Sequence, residues 1–190
     1  MKFITQSIPD VLLIEPIVHG DERGYLVETF RQDMLDQILG YKVNFIQDIE
    51  SKSISKGVLR GLHYQSPPYT QSKLVRVIKG RILDVAVDIR QDSPTFGKHT
   101  AVELSGENKK QLFLPQGFAH GFVVLSEGAI FAYKVDAYFS AHHNEGIAYN
   151  DKDIAIDWLL PEADTILSEA DRNNLNLAEK KIDFSSNIIC

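Results

Sequence analysis

The chain has 190 residues, 44% of them hydrophobic, and a formal net charge of −6 at neutral pH. This length and apolar content predict a single domain over residues 1–190 with a sizeable core. The negative charge argues against nucleic-acid binding, for which a basic surface is the first expectation.

The N-terminal segment and the cysteine content exclude further classes. The only cysteine is Cys190, so we expect neither a disulfide framework nor a cluster of thiolates that holds a metal. The first 16 residues contain no more than four consecutive apolar residues, whereas a membrane span needs about 18. We therefore expect a soluble, cytoplasmic protein with no membrane partner.

The predicted elements begin with a helix in "RQDMLDQILG", residues 31–40, which ends at a glycine. "KLVRVI" and "RILDVAVDI" follow as strands, and Gly80 between them predicts a hairpin. In the second of these strands Leu83, Val85, Val87 and Ile89 share an apolar face. Further short strands are predicted in "TAVEL", "QLFL", "GFVVL" and "IFAYKVDAYF".

Many short strands with few helices are typical of an antiparallel sandwich or barrel. Turn residues separate the strands in "SPTFG", "SGENK", "PQG" and "SEG". From about residue 160, after "LLPEAD", the pattern predicts a short C-terminal extension that is helical or irregular.

Residues 51–83 carry only basic charges, in an otherwise acid-rich chain. The seven residues are Lys52, Lys56, Arg60, Lys73, Arg76, Lys79 and Arg81. They form either a solvated basic face or a local funnel for an anionic ligand such as a diphosphate.

The stretch "GVLRGLHYQ", residues 57–65, combines two glycines with Arg60 and His63. In a regular strand these two side chains point to opposite faces, unless a bulge at a glycine turns one of them. His63 alone is also compatible with a structural histidine that a neighbour satisfies.

A second stretch, "LPQGFAHGF", has the order Pro-x-Gly-x-x-His ending at His120. This order resembles the second motif of the cupin superfamily, whose members are double-sheet jelly rolls, and "GLHYQ" stands where the first, metal-binding motif begins. Gln65 replaces the second histidine of that motif, and no acidic residue follows before Asp84. Because zinc, iron and similar ions need about three protein ligands, we expect no bound metal ion.

Eight segments in order resemble the dTDP-4-dehydro-6-deoxyglucose 3,5-epimerases of the dTDP-rhamnose pathway, from about residue 8 to about residue 178. They are "GDERGYLVETF", "GVLRGLHYQ", "QSKLVRVIKG", "DVAVDIRQDSPTFGK", "LPQGFAHGFVVLS", "YKVDAYF", "NEGIAYND" and "LSEADR". The resemblance implies a cupin jelly roll that inverts carbons next to a ketone, without a cofactor, and that forms a homodimer.

Such a reaction needs a base, an acid on the other face of the sugar, and a cation for the enolate oxygen. By resemblance His63 is the proton acceptor, Asp171 its partner, Tyr133 the proton donor and Lys73 the enolate or ligand contact. The resemblance places further contacts to the dTDP-sugar at Arg23, Glu28, Gln47, Arg60, Lys73, His120 and Glu145, with Tyr138 stacking on the base. An N-terminal segment with Arg23 and Glu28 would complete the partner's site.

Taken one at a time, these residues keep structural alternatives. Tyr133 alone is compatible with a core tyrosine, and Lys73 with an exposed strand residue. Ser168-x-x-Asp171 is compatible with a variant capping box at a helix start. Arg23 and Glu28 are compatible with a surface pair.

The chain departs from the family pattern at four positions. The pattern usually has Asn-His where this chain has Ile49 and Glu50, often phenylalanine at His19, and commonly lysine at Ala170. The departures leave open which nucleotide sugar is bound and whether both C3 and C5 are inverted. A single-centre epimerase, a ketoisomerase, a silent sugar-nucleotide-binding cupin and a metal-dependent cupin oxygenase are the alternatives.

Overall fold

The backbone consists mainly of strands, in a computed structural model that describes residues 1–184. Cys190 lies outside the described residues. The strands are β1 Lys2–Thr5, β2 Leu12–Glu15, β3 Val18–Asp21, β4 Gly24–Val27, β5 Gln47–Ser53, β6 Leu59–Gln65, β7 Lys73–Lys79, β8 Arg81–Asp88, β9 His99–Ser105, β10 Gln111–Leu114, β11 Phe118–Val124, β12 Ala129–Val135 and β13 Asn144–Gly146. The helices are α1 Gln32–Leu39 and α2 Glu169–Arg172, with 3-10 turns at Glu162–Asp164 and Leu177–Glu179.

The strands form two larger antiparallel sheets and one hairpin. The six-stranded sheet has the order β1-β2-β10-β7-β12-β5, and the five-stranded sheet has the order β13-β6-β11-β8-β9. Strands β3 and β4 pair only with each other. This is the predicted jelly roll, which the structure confirms, because from β5 onward the strands alternate between two sheets that enclose a common interior, except that β8 and β9 are neighbours in one sheet.

The interior between the sheets is one of two cores that flank the five-stranded sheet. Apolar side chains from both sheets meet there, among them Val75, Phe122 and Phe131. The outer face of the five-stranded sheet carries a second core, to which Trp158 and Phe184 belong. The segment from about residue 147 to residue 184 therefore covers a sheet face, and we call the space between the sheets the barrel interior.

Strand β8 shows the consequence of this double coverage. Leu83, Val85, Val87 and Ile89 face the C-terminal segment, as one apolar face. The opposite face, with Asp84, is also buried, because it lines the barrel interior. The prediction of one apolar face on this strand was thus correct, but the alternation did not show that the face with Asp84 is buried as well.

The predicted hairpin at Gly80 is wrong. Strand β7 belongs to the six-stranded sheet and β8 to the five-stranded sheet, so the chain passes from one sheet to the other at this glycine. Gly80 has a φ of 84°, and a Cβ there would lie 2.1 Å from the carbonyl oxygen of Gly128. The glycine signals a close crossing, which the sequence cannot distinguish from a tight turn.

Helix α1 is the predicted helix, and it covers the outer face of the six-stranded sheet. Leu35 packs there with Leu74 and Phe113. The helix ends at Gly40, whose φ of 77° is the left-handed conformation of a glycine cap. With 8 residues it is the longest helix in residues 1–184, and no described helix is long and apolar enough to cross a membrane.

Candidate active site

A β-bulge in β6 brings Arg60 and His63 to the same face. His63 lies opposite His120 on β11, and Arg60 lies opposite Phe122, so β6 uses one more residue than β11 between the two pairs. Residues opposite each other in an antiparallel pair share a face, and Phe122 faces the barrel interior. Both the arginine and the histidine therefore face inward.

Gly61 makes this bulge possible. Its φ is 124°, and a Cβ at this position would lie 2.5 Å from the Cα of Gly121 on the neighbouring strand. No residue with a side chain fits that contact, which explains why a strand in the middle of a sheet contains this glycine.

His63 is paired with Asp171. The Nε2 atom of His63 donates to Oδ1 of Asp171 at 2.5 Å, and the two side chains are 36% and 6% exposed. Burial raises the pKa of Asp171, but hydrogen bonds from His63, Ser168 and the backbone of Gly61 outweigh it and hold the pKa below its usual value. Asp171 is therefore ionised and accepts the Nε2–H of His63, so that in the neutral ring Nδ1 is the nitrogen that can take a proton.

The short helix α2 positions this carboxylate. The backbone N–H of Asp171 donates to Oγ of Ser168, which caps the helix, while the side chain of Asp171 turns to His63. Ser168 is thus a helix cap, as in the structural alternative, but the Asp171 carboxylate binds His63 rather than completing a capping box.

Lys73 is buried in the barrel interior and lies within electrostatic reach of Asp84. Burial lowers the pKa of its ammonium group to about 8, although the negative charge of Asp84 acts in the opposite direction. Asp84 is fully buried, and its Oδ2 accepts a hydrogen bond from Nε2 of His120 at 2.9 Å. Its other oxygen, Oδ1, has no hydrogen-bond partner in the described chain. The structure thus rules out an exposed Lys73.

Tyr133 on β12 has apolar neighbours on both adjacent strands. It lies opposite Ile49 on β5 and opposite Val75 on β7, and its ring centroid is 5.5 Å from that of Phe131. Burial raises the pKa of its hydroxyl, and the charge of Arg60 lowers it by less. A protonated phenol beside a cation is suited to donate a proton.

Two further predicted contacts lie at the end of the barrel that carries Gln65 and Lys73. Oε1 of Gln47 accepts a hydrogen bond from the backbone N–H of Phe139 at 3.2 Å. The neighbouring Tyr138 is 63% exposed, so its ring is open for stacking.

Glu145 is not brought to the barrel interior. It lies opposite Tyr64 and accepts a hydrogen bond from the hydroxyl of Tyr64 at 3.0 Å. Tyr64 belongs to the core on the outer face of the five-stranded sheet, and Lys180 also contacts the Glu145 carboxylate at 3.3 Å. In this chain Glu145 therefore faces away from His63.

Arg23 and Glu28 also lie outside the barrel interior of their own chain. Arg23 stands at the turn of the β3–β4 hairpin, where its side chain is 86% exposed and pairs with Asp21. Glu28 is exposed just after the hairpin. The structural alternative, a surface pair of Arg23 with Glu28, is not formed, because Arg23 bonds to Asp21 instead.

The basic stretch of residues 51–83 does not form one funnel. Arg60 and Lys73 face the barrel interior, whereas Lys52 and Lys79 line a groove of about 510 Å³ at the opposite end of β7. Arg81 is a half-exposed partner of Glu103. These charges are close together in the sequence, but the sequence did not show toward which side of the sheets each side chain points.

The departures from the family pattern occupy different environments. Ile49 is beside Tyr133 by register, while Glu50 is exposed on the outward face of the same strand. Ala170 is an exposed residue of α2, and His19 is exposed on the β3–β4 hairpin. Ile49 thus lies opposite the predicted proton donor Tyr133, whereas Ala170 precedes Asp171 in the chain but is exposed.

Asp84 is the site residue that the sequence analysis missed as a functional group. It stands between Ile82 and Ala86 on one face of β8, and a carboxylate among apolar neighbours is the signal that could have found it. No group of three or more His, Cys, Asp or Glu side chains within residues 1–184 is arranged to hold a metal ion.

The jelly roll and this set of inward-facing groups define a class of protein, the cupin-type epimerases. A family model described as dTDP-4-dehydrorhamnose 3,5-epimerase matches residues 5–179. The chain belongs to the dTDP-4-dehydrorhamnose 3,5-epimerase family, a family of isomerases.

Similar proteins agree over nearly the whole chain. A dTDP-4-dehydrorhamnose 3,5-epimerase of Shigella flexneri is 54% identical over 173 residues, covering 91% of this chain and 94% of the relative. The crystal structure of the Elizabethkingia anophelis enzyme is 48% identical, with a TM-score of 0.91 and coverage of 95% and 98%. A Legionella pneumophila epimerase, solved in complex with dTDP-4-keto-L-rhamnose, is 48% identical, with a TM-score of 0.90 and coverage of 94% and 93%.

Proposed function

We propose that this protein epimerises dTDP-4-dehydro-6-deoxyglucose at C3 and C5 to give dTDP-4-dehydrorhamnose. The observation that carries this proposal is the His63–Asp171 pair, held at 2.5 Å on the face of β6 that looks into the barrel interior. A histidine with an ionised carboxylate partner and one available ring nitrogen is the group that proton abstraction next to a ketone needs.

In the proposed reaction Nδ1 of His63 removes the proton from the carbon next to the ketone. The electron pair of the C–H bond forms the enolate, and Asp171 stabilises the imidazolium that results. The charge of Lys73 stabilises the enolate oxygen, because a preorganised cation in a buried site acts strongly on developing negative charge.

Tyr133 then donates its hydroxyl proton to the same carbon from the other face of the sugar. The configuration is inverted, and exchange with solvent then removes the extra proton from His63 and returns a proton to Tyr133. Substrate and product have the same oxidation state, so the chemistry requires no redox cofactor. A ketoisomerase would instead deliver the proton to the former carbonyl carbon and move the carbonyl to its neighbour, a transfer that groups on one face can carry out. An acid on the opposite face therefore favours epimerisation.

The remaining predicted contacts are proposed to bind the dTDP moiety and the sugar. Arg60 and His120 share the inward face with His63, and Tyr138 offers an exposed ring for the base. Gln47 supports the backbone next to Tyr138. Glu145 remains a proposed contact that needs its carboxylate released from Tyr64 and Lys180.

We also propose a homodimer in which the β3–β4 hairpin completes the partner's site. The hairpin pairs with no other described strand, and its apolar residues Tyr25 and Leu26 are 60% and 74% exposed. A two-stranded hairpin is at best marginally stable in water, and exposed apolar side chains favour a protein contact. A second copy that covers the hairpin would also give Arg23 and Glu28 a ligand to bind.

The C-terminal segment packs on the five-stranded sheet, and so we propose a single domain over residues 1–190. The acidic composition of the chain argues against nucleic-acid partners. We also expect a cytoplasmic protein without membrane partners.

Proton NMR in deuterated water tests the activity. With dTDP-4-keto-6-deoxyglucose we expect deuterium at both C3 and C5, because enolisation leaves a label wherever a proton was removed. His63→Ala should abolish exchange at both carbons, while His99→Ala, on the edge strand β9, should exchange as the unchanged protein does.

The outcomes separate the alternatives. Exchange at one carbon would indicate a single-centre epimerase. A protein that binds dTDP but exchanges neither carbon would be a silent binder, and unchanged exchange in His63→Ala would refute the assignment of the base.

A further inference from the structure

Gln65 connects the barrel to two loops at the end that carries the proposed site. It is the last residue of β6 and is 4% exposed. Residues 66–72 link β6 to β7, and residues 136–143 link β12 to β13. We call these two segments the rim loops.

The side-chain amide of Gln65 makes three hydrogen bonds to the rim loops. Its Nε2 donates to the backbone carbonyl of Tyr69 at 2.7 Å and to that of Tyr138 at 3.2 Å. Its Oε1 accepts from the backbone N–H of Ser140 at 2.6 Å. Two donors and one acceptor in this arrangement are what a primary amide provides, and neither a carboxylate nor an aliphatic side chain can reproduce them.

The rim loops also bond to each other, but at other points. Nε2 of Gln71 donates to the carbonyl of Ala137 at 2.7 Å, and the N–H of Ser66 donates to the carbonyl of His143 at 2.9 Å. Within residues 1–184, Gln65 is the side chain that hydrogen-bonds the backbone of Tyr138 itself.

The ring of Tyr138 depends on this support, because it is mostly exposed and has little packing of its own. A stacking platform binds a base well only when it is already in place, since ordering a mobile loop reduces affinity. The position at which cupin metal motifs carry a second histidine is thus occupied in this chain by a residue that binds the rim loops.

We propose that Gln65 is a positioning residue that holds Tyr138 in place for the nucleobase of the substrate. The inference rests on the proposed function, in which Tyr138 stacks on the base of a dTDP-sugar. Gln65 acts through the backbone of the rim loops and does not touch the reacting carbons.

The test is a double-mutant cycle of dTDP binding, measured by calorimetry on the full chain. Gln65→Leu and Tyr138→Ala should each weaken binding about tenfold, and the double variant should bind within about twofold of the weaker single variant, because both changes remove one platform. In steady-state kinetics Gln65→Leu should raise KM about tenfold and leave kcat within about twofold.

Two further variants guard against a general loss of structure. Gln65→Glu keeps the size of the side chain but loses both donors, so it should weaken binding as Gln65→Leu does and serves if the leucine variant does not fold. Thr100→Val, on the edge strand β9, removes a partly buried hydrogen bond to Ser7 and should leave dTDP affinity unchanged.

Wild-type affinity in Gln65→Leu and Gln65→Glu would overturn the proposal. Losses that multiply in the double variant would also overturn it, since Gln65 would then act independently of Tyr138. Failure of the unchanged protein to bind dTDP would refute the proposed function itself and the inference with it.

Discussion

Two histidine–carboxylate pairs face the barrel interior, and they differ mainly in burial. His63 is 36% exposed and bonds to Asp171, whereas His120 is 8% exposed and bonds to the fully buried Asp84. His120 is further fixed by stacking on Phe131, with ring centroids 5.9 Å apart. The same pair of side-chain types thus forms an accessible base in one place and a rigid buried contact in the other.

This difference shows that pairing alone does not make a base. A proton acceptor needs a ring nitrogen that the substrate can reach, which the partly exposed His63 offers. A carboxylate that is completely buried beside Lys73 instead sets the local field, because charges interact strongly where water is excluded.

The largest expected effect is on the accessible pair. Asp171→Asn should lower kcat by at least about 100-fold, because His63 loses the charge that stabilises its protonated form. Stopped-flow or NMR turnover measures the loss, and circular dichroism should show an unchanged fold. Activity within about fivefold of the unchanged protein would contradict the role of Asp171.

A change in the buried His120–Asp84 pair should mainly lower the free energy of unfolding. Asp84→Ala should lower the free energy of unfolding by about 3–5 kcal/mol, because it leaves Lys73 and His120 buried without their partner. Asp171→Ala, in the more accessible pair, should cost about 1 kcal/mol. Urea denaturation checks both, and equal losses would remove the proposed distinction.

The pH dependence of turnover should report the Lys73–Asp84 contact. Because burial lowers the pKa of Lys73 to about 8, the cation is present below this pH and is lost above it, so kcat should fall as the pH rises through about 8. Asp84→Asn removes the charge that raises this pKa and should move the fall to lower pH. If kcat falls at the same pH in the unchanged protein and in Asp84→Asn, the titrating group is not Lys73.

The smallest effect is expected at Ile49. Ile49→Asp places a carboxylate opposite Tyr133, where it competes for the hydroxyl proton, and should lower kcat by about 3- to 10-fold. Glu50→Gln, on the outward face of the same strand, is the control and should turn over normally. NMR exchange at C3 and C5 shows whether both carbons are affected, and an unchanged rate would exclude Ile49 as a neighbour of the acid.

The sequence predicted those features that depend on local patterns. Helix α1 with its glycine end, and most strands between residues 73 and 135, follow from periodicity and turn residues. The polar strand β5 was not identified, because "QDIESKS" has a single apolar residue, Ile49, and so shows no alternating apolar face.

The site depended on information that no local pattern contains. The sequence named a bulge as the condition for Arg60 and His63 to share a face, but only the register with β11 shows that it forms. The roles of His63, Tyr133 and Asp171 came from family resemblance, since Asp171 lies 108 positions after His63 in the chain. Asp84 was overlooked because alternation cannot tell a solvent-facing carboxylate from a buried one.

The central claim is that His63 and Tyr133 act on opposite faces of the sugar, and deuterium exchange in Tyr133→Phe tests it most directly. We predict that this variant still incorporates deuterium next to the ketone, because the base is intact, but returns the label to the original face and forms no epimer. Full inversion in Tyr133→Phe, or loss of exchange together with inversion, would contradict the claim.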